Sequence, residues 1–197
     1  MDMPKIVDHL ERKSNIAEAT WRVIIQQGIQ AATVRKIAAE AGVSLGALRH
    51  YFSTQHELLL FAMNLVKERV TARILAIIHT DLPPREQVAK VLLELLPTDD
   101  GSMAEMEVWF AFTFHLRSAG DKSAELDDAI YPLIVRLIDY LDQHGLLKQG
   151  LDKGDEAERL YALVDGLAMH AMLEPERLDR QRMVRVLNVH LESICCG

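Results

Sequence analysis

Apolar residues recur along almost the whole chain at spacings of three and four, the period of a helix, and nowhere at a sustained spacing of two. Between Ser14 and Gln27, Ile16, Ala19, Val23 and Ile24 share one face with Trp21 nearby, and Gly28 stands where a C-cap is expected. Thr33 is placed to cap a short helix carrying Ile37, Ala38 and Ala41. Gly42 follows where the chain must turn, Val43 returns an apolar side chain to the core, and Ser44 is placed to cap LGALRHYF, which buries Leu48 and Phe52. So short a turn forces two helices to cross steeply against the first.

The rest of the chain continues in the same period. Thr54–His79 carries Leu58, Leu59, Ala62, Leu65, Val66, Val70, Ile74 and Ile77, and ends in Asp81–Pro84. Helices are then expected over Arg85–Leu96, Met103–Ser118, Asp121–His144 with a tolerated Pro132, Asp155–Leu173 and Arg177–Ile194. Turns at Pro97–Ser102, Gly120, Gly145–Gly154 and Glu174–Pro175 separate them. The expectation is an all-α protein of about nine helices, with a helix-turn-helix domain over 1–55 and a larger helical effector-binding and dimerisation domain over 56–197.

Composition agrees: 197 residues, 49% apolar and 26% charged, is ample for a packed core. No run is long and apolar enough to read as a membrane span, and no basic-then-apolar leader opens the chain. The two cysteines, Cys195 and Cys196, are adjacent and provide neither a cross-link between elements nor a CxxC metal pair, so cytoplasmic residence with exposed thiols is expected. The net charge of -7 argues against nucleic acid, yet residues 1–55 carry +2 and the remainder -9. A mildly basic head on an acidic body can still approach phosphates.

The head also has the chemistry for that approach. Helix N-termini at Thr33 and Ser44 present unpaired N–H groups suited to phosphate. Leu45, Gly46 and Ala47 keep the leading edge of the second helix low, and Leu45 or Ala47 can touch a thymine methyl. Arg35 projects from the first helix of the pair, while Arg49, His50 and Tyr51 cluster at the end of the second. An arginine there pairs with guanine or clamps a phosphate; His50 and Tyr51 suit phosphate or sugar.

In the body, Met103, Met106, Trp109, Phe110 and Phe114 make an aromatic and thioether stripe that lines an adaptable apolar cavity or else is plain core. His115, Asp165 and Met169 are the other candidates for such a cavity. On the last two helices, Leu160, Leu163, Leu167 and Ala171 and then Met183, Leu187 and Leu191 form stripes that close a four-helix bundle with a second subunit or pack within the chain. No metal, cofactor or nucleophile motif is present, so neither catalysis nor metal binding is expected.

The stretch Thr33–Leu59, preceded by Trp21 and Gly28, resembles the DNA-binding domain of the TetR family of transcriptional regulators. Thr33, Arg35, Ile37, Ala38, Ala41, Gly42, Val43, Ser44, Gly46, Leu48, Tyr51, Phe52, Glu57, Leu58 and Leu59 all fit the family pattern, over about the first 60 residues. The resemblance implies backbone contacts by Thr33, Ser44, His50 and Tyr51 and base or phosphate contacts by Arg35, Leu45 and Gly46. Two positions depart from it: Arg49 replaces a frequent Tyr, and Gln55 replaces a frequent Lys that grips phosphate.

The resemblance further implies a homodimeric repressor, released from a double-stranded DNA operator by a small apolar or amphipathic effector. Two other readings stay open at the level of the residues: a DNA-binding protein without a small-molecule sensor, and an all-helical enzyme whose head is a docking module.

Overall fold

The computed structural model describes residues 4–119 and 129–196. Nine α-helices and one short 3-10 turn account for the regular structure among these residues. The helices are α1 (Pro4–Gln27), α2 (Val34–Glu40), α3 (Leu45–Tyr51), α4 (Gln55–Ile78), α5 (Pro84–Leu93), α6 (Asp100–Ala119), α7 (Ile130–Gln143), α8 (Lys153–Leu173) and α9 (Arg180–Ile194). The break expected at Gly120 and the start of the helix expected from Asp121 lie outside the described residues; the rest of that helix is α7. Pro132 falls in its first turn, where a missing N–H removes no intrahelical bond.

Several boundaries move, each for a local reason. The sequence pattern starts α1 at Ser14, whereas the helix begins at Pro4. Expected at Met103, α6 begins at Asp100, because Asp99 Oδ1 accepts from the Ser102 N–H at 2.8 Å while Ser102 Oγ accepts from the Asp99 N–H at 3.0 Å. Asp152 caps α8 through the Asp155 N–H at 3.0 Å, and Asp179 caps α9 through the Arg182 N–H at 2.7 Å, three residues later than expected.

The chain forms two compact units. One comprises the chain up to Arg69 together with α6 from Glu107; the other comprises Val70–Met106 and the chain from α7 onward. Both α4 and α6 therefore contribute to each unit. These units differ in extent from the sequence division at 55, because apolar positions of α4 and α6 continue the core of the head.

In the first unit, Ile16, Ala19, Val23 and Ile24 of α1 meet Ile37, Ala38, Leu48, Phe52, Leu58 and Ala62 in a closed core. Trp21 stitches α1 to α4, its Nε1 donating to the Ala62 carbonyl at 3.0 Å. Arg69 stacks over the Trp21 ring and pairs with Glu18, one helical turn before that tryptophan.

In the second unit, α7 buries Ile134, Leu137, Ile138 and Leu141, a strict helical stripe, against α8. Buried Gln87 donates its side-chain amide to the Ile77, Ile78 and Thr80 carbonyls and so closes the C-terminus of α4. Arg73 of α4 reaches Glu94 at 2.7 Å and Glu105 of α6 at 2.7 Å. The end of the chain pairs back on residues 146–148, with Leu147 bridged to Cys195. That pairing corrects one expectation: Cys195 is buried, and only Cys196 is exposed.

Candidate nucleic-acid interface

The α2–turn–α3 segment is built as its local signals require. Thr33 and Ser44 are both in extended backbone, and their hydroxyls accept from the Lys36 N–H at 3.4 Å and the Ala47 N–H at 3.0 Å. Gly42 turns the chain with φ +66°, a left-handed conformation that a side chain disfavours. The Val43 N–H then returns to the Ala38 carbonyl at 3.0 Å, satisfying the end of α2. Only Leu48 of α3 is fully buried, so the rest of the helix is available to a partner.

Gly46, Arg49 and His50 are exposed, Leu45 and Tyr51 are half-buried, and Arg35 is exposed on α2. Neither Arg35 nor Arg49 has an ion pair among the described residues. Other basic groups of the head are tied down: Arg22 holds Glu40 at 2.6 Å and Lys36 holds the Gln27 side chain at 2.7 Å. Gln55 is tied too, since its side-chain amide donates to the Ala32 carbonyl at 3.0 Å. The beginning of α4 is closed by Thr54 and Glu57, whose carboxylate accepts from the Ser53 N–H at 2.8 Å.

One neighbour of this surface lies outside the helix that the apolar pattern predicts. The exposed ring of His9, on the part of α1 before Ser14, lies 4.8 Å from that of Tyr51 and 6.5 Å from that of His50. Pro4, with Ile6, Val7 and Leu10 at helical spacing, is the available signal for an earlier helix start. One turn after His9, Lys13 places its ammonium over the rings of Phe52 and Phe61 at 5.2 and 5.5 Å.

The effector candidates are divided. Trp109, Phe110, Phe114 and His115 belong to the first unit, and Met103, Met106, Asp165 and Met169 to the second. The inward stripe of α6 is Glu105, Val108, Phe112 and Leu116, so the helix packs through Phe112 while Trp109 and Phe110 stay half-buried. Phe114 is 57% exposed and stacks on Phe110 at 5.9 Å. Lys67 stands over Trp109 at 5.6 Å, and Gln30 Nε2 lies 3.4 Å from His115 Nδ1. A cleft of about 260 Å³ in the second unit is lined by Ile77, Lys90, Leu93, Glu94, Thr98, Arg180 and Val184, none of them an effector candidate.

The interface candidates require a correction. Leu160, Leu167, Ala171, Met183, Leu187 and Leu191 are buried in the chain's own core, and Leu163 is half-buried. Helical periodicity identifies an apolar stripe but not what covers it, and here α5 and α7 supply the cover for α8 and α9. The outward stripe is different: Ala162, Gly166, Met169 and Leu173 on α8 and Val189 on α9. Leu173 and Val189 are 68% and 63% exposed, and a side chain added at Gly166 meets open space.

No helix among the described residues is long and apolar enough to cross a membrane. Two family models match the chain: bacterial regulatory proteins, tetR family, over 16–61, and BetI-type transcriptional repressor, C-terminal, over 84–195. The HTH-type transcriptional regulator PksA of Bacillus subtilis (strain 168) is 57% identical over 193 residues, covering 98% of this chain and 94% of that protein. The regulator BetI of Vibrio campbellii (strain ATCC BAA-1116) is 29% identical over 199 residues, covering 97% and 96%. Among solved structures, a transcriptional regulator from Saccharomonospora viridis in complex with choline superposes with a TM-score of 0.83 at 25% identity, covering 95% of this chain and 99% of that one.

Proposed function

The chain belongs to the TetR family of bacterial regulatory proteins, and we propose that it acts in the cytoplasm as a homodimer whose two heads grip one operator until an effector separates them. It is a DNA-binding transcriptional regulator rather than an enzyme. The observation that carries the docking mode is the capped α2–turn–α3 with its Arg35 and Arg49 exposed and without an ion pair among the described residues. The N-terminal edge of α3, low at Leu45 and Gly46, enters the major groove, and Thr33, Ser44, His50 and Tyr51 hold the flanking backbone.

The dimer closes through the outward stripe of α8 and α9, centred on Gly166, Met169, Leu173 and Val189, with half-buried Leu163 at its edge. Exposed apolar side chains in a continuous line favour a second apolar surface over water, and the absence of a side chain at Gly166 lets a partner helix approach closely. The half-buried aromatics of α6, Trp109 and Phe110, with Phe114 and His115, contact the effector.

An aromatic-rich lining suits an amphipathic cation, the class of the choline held by the Saccharomonospora viridis regulator. Effector binding favours the state whose head spacing does not fit the operator, and α4, which contributes to both units, transmits the change. Sedimentation of the full chain tests the assembly: wild type runs as a dimer and Leu173→Glu as a folded monomer with weakened operator binding. A wild-type monomer, or a Leu173→Glu dimer, refutes the interface.

A further inference from the structure

The long start of α1 has a consequence at the DNA surface. His9, His50 and Tyr51 bring three rings with polar edges into one exposed cluster, His50 and Tyr51 standing 5.5 Å apart and His9 tilted 51° against Tyr51 at 4.8 Å. His50 and Tyr51 end α3, so when the opposite end of that helix enters the groove they face a sugar-phosphate strand. We propose that His9 is a DNA-contact residue supplied by α1, donating its imidazole N–H to a phosphate of the strand that His50 and Tyr51 hold. The inference rests on the docking mode proposed above.

The chemistry suits the position. An imidazole keeps at least one N–H whether neutral or protonated, and a phosphate only accepts, so the contact forms in either state. Packing against Tyr51 limits the rotations of the His9 ring before DNA arrives, which lowers the entropy lost on binding. Lys13, one turn along and on the same side of α1, adds a cation toward the same end of α3. Glu11 is displaced from His9 by roughly 200° around the helix, so its carboxylate points away from the cluster.

The test uses the full chain and a duplex enriched by wild-type protein from a random-sequence pool, with affinity measured by fluorescence anisotropy. His9→Ala weakens binding by roughly tenfold or more, as expected when one charge-assisted hydrogen bond is lost from each subunit of the dimer, at an unchanged unfolding midpoint. His9→Phe keeps the ring packing and removes the N–H; it binds as weakly as His9→Ala, whereas His9→Gln recovers part of the loss. Wild-type affinity in either His9→Ala or His9→Phe overturns the proposal, the second by showing that His9 acts only through packing. Arg49→Ala in parallel separates the two levels: if it too leaves affinity unchanged, or if no duplex is enriched, the docking mode itself has failed.

Discussion

The side-chain amide of Gln55 donates to the carbonyl of Ala32 at 3.0 Å, joining the first residue of α4 to the residue before the Thr33 cap of α2. Ala32 is itself fully buried, so the bond satisfies an acceptor at the edge of the head core. A residue that departs from the family pattern at a phosphate-gripping position therefore has an internal role here.

Gln55→Lys exchanges that role for charge. Stability falls by about 1 kcal/mol per chain, the net worth of one hydrogen bond, while operator affinity rises and the slope of log K against log salt steepens by about 1.8, for one added phosphate contact in each subunit of the dimer. Anisotropy titrations at several salt concentrations check this. An unchanged slope shows that position 55 is not at the backbone.

Arg49→Ala and Ser44→Ala separate contact from architecture. Arg49 is exposed, so its loss weakens DNA binding and leaves the unfolding midpoint alone. Ser44 caps α3 through the Ala47 N–H, so its loss costs about 1 kcal/mol of stability and also weakens binding. Urea denaturation beside DNA titration distinguishes them; an Arg49→Ala protein with wild-type affinity contradicts the assigned contact.

Arg73 is the half-buried centre of a cluster whose Glu105 end is buried. Glu105 is 8% exposed, and the Arg73 guanidinium, which it shares with Glu94, compensates its charge. The same carboxylates hold the Arg73 guanidinium well above its ordinary range, the Glu105 hydrogen bonds contributing most. Arg73→Ala costs about 2 kcal/mol, less than a fully buried pair because Arg73 keeps contact with water. Arg73→Ala/Glu105→Gln recovers part of the loss in urea denaturation. A double variant no more stable than Arg73→Ala shows that the buried charge is not the source.

His190 gives stability a pH dependence. Burial holds its imidazole below the usual value of 6.5, opposed by nearby Glu156, and its buried Nε2 has no hydrogen-bond partner among the described residues. Between that lowered value and 6.5 the unfolded chain binds the proton more readily than the native state does, so this contribution to stability rises with pH through the window and levels off above it. The thermal midpoint of wild type thus falls more steeply on acidification from about pH 7 than that of His190→Gln. Parallel curves for the two proteins exclude the residue.

The helix-turn-helix is legible in the sequence because its signals are local. Thr33, Gly42 and Ser44 each act within three or four residues of themselves, and each stands in the fold as the cap or turn its residue type favours. The start of α1 is harder to read, since the strongest apolar face begins near Ser14 while the earlier turns carry the polar His9, Glu11 and Arg12. Stripes on α8 are visible as periodicity, but Leu160 and Leu173 are both apolar, and nothing in their spacing says which one the chain itself covers.

By itself, then, the sequence determined the helical class, the order of the helices, the docking motif and the family, because period, caps and turns depend on residues a few positions apart. Tertiary structure decided what depends on distant segments meeting. It engaged Gln55 at Ala32, packed His9 of α1 beside Tyr51 of α3, turned Leu160 and Leu187 inward and left Leu173 and Val189 outward, and divided the aromatic helix into a packed edge at Phe112 and an open one at Phe114. Each of those outcomes is set by which surface arrives opposite, a relation between parts of the chain that no local pattern encodes.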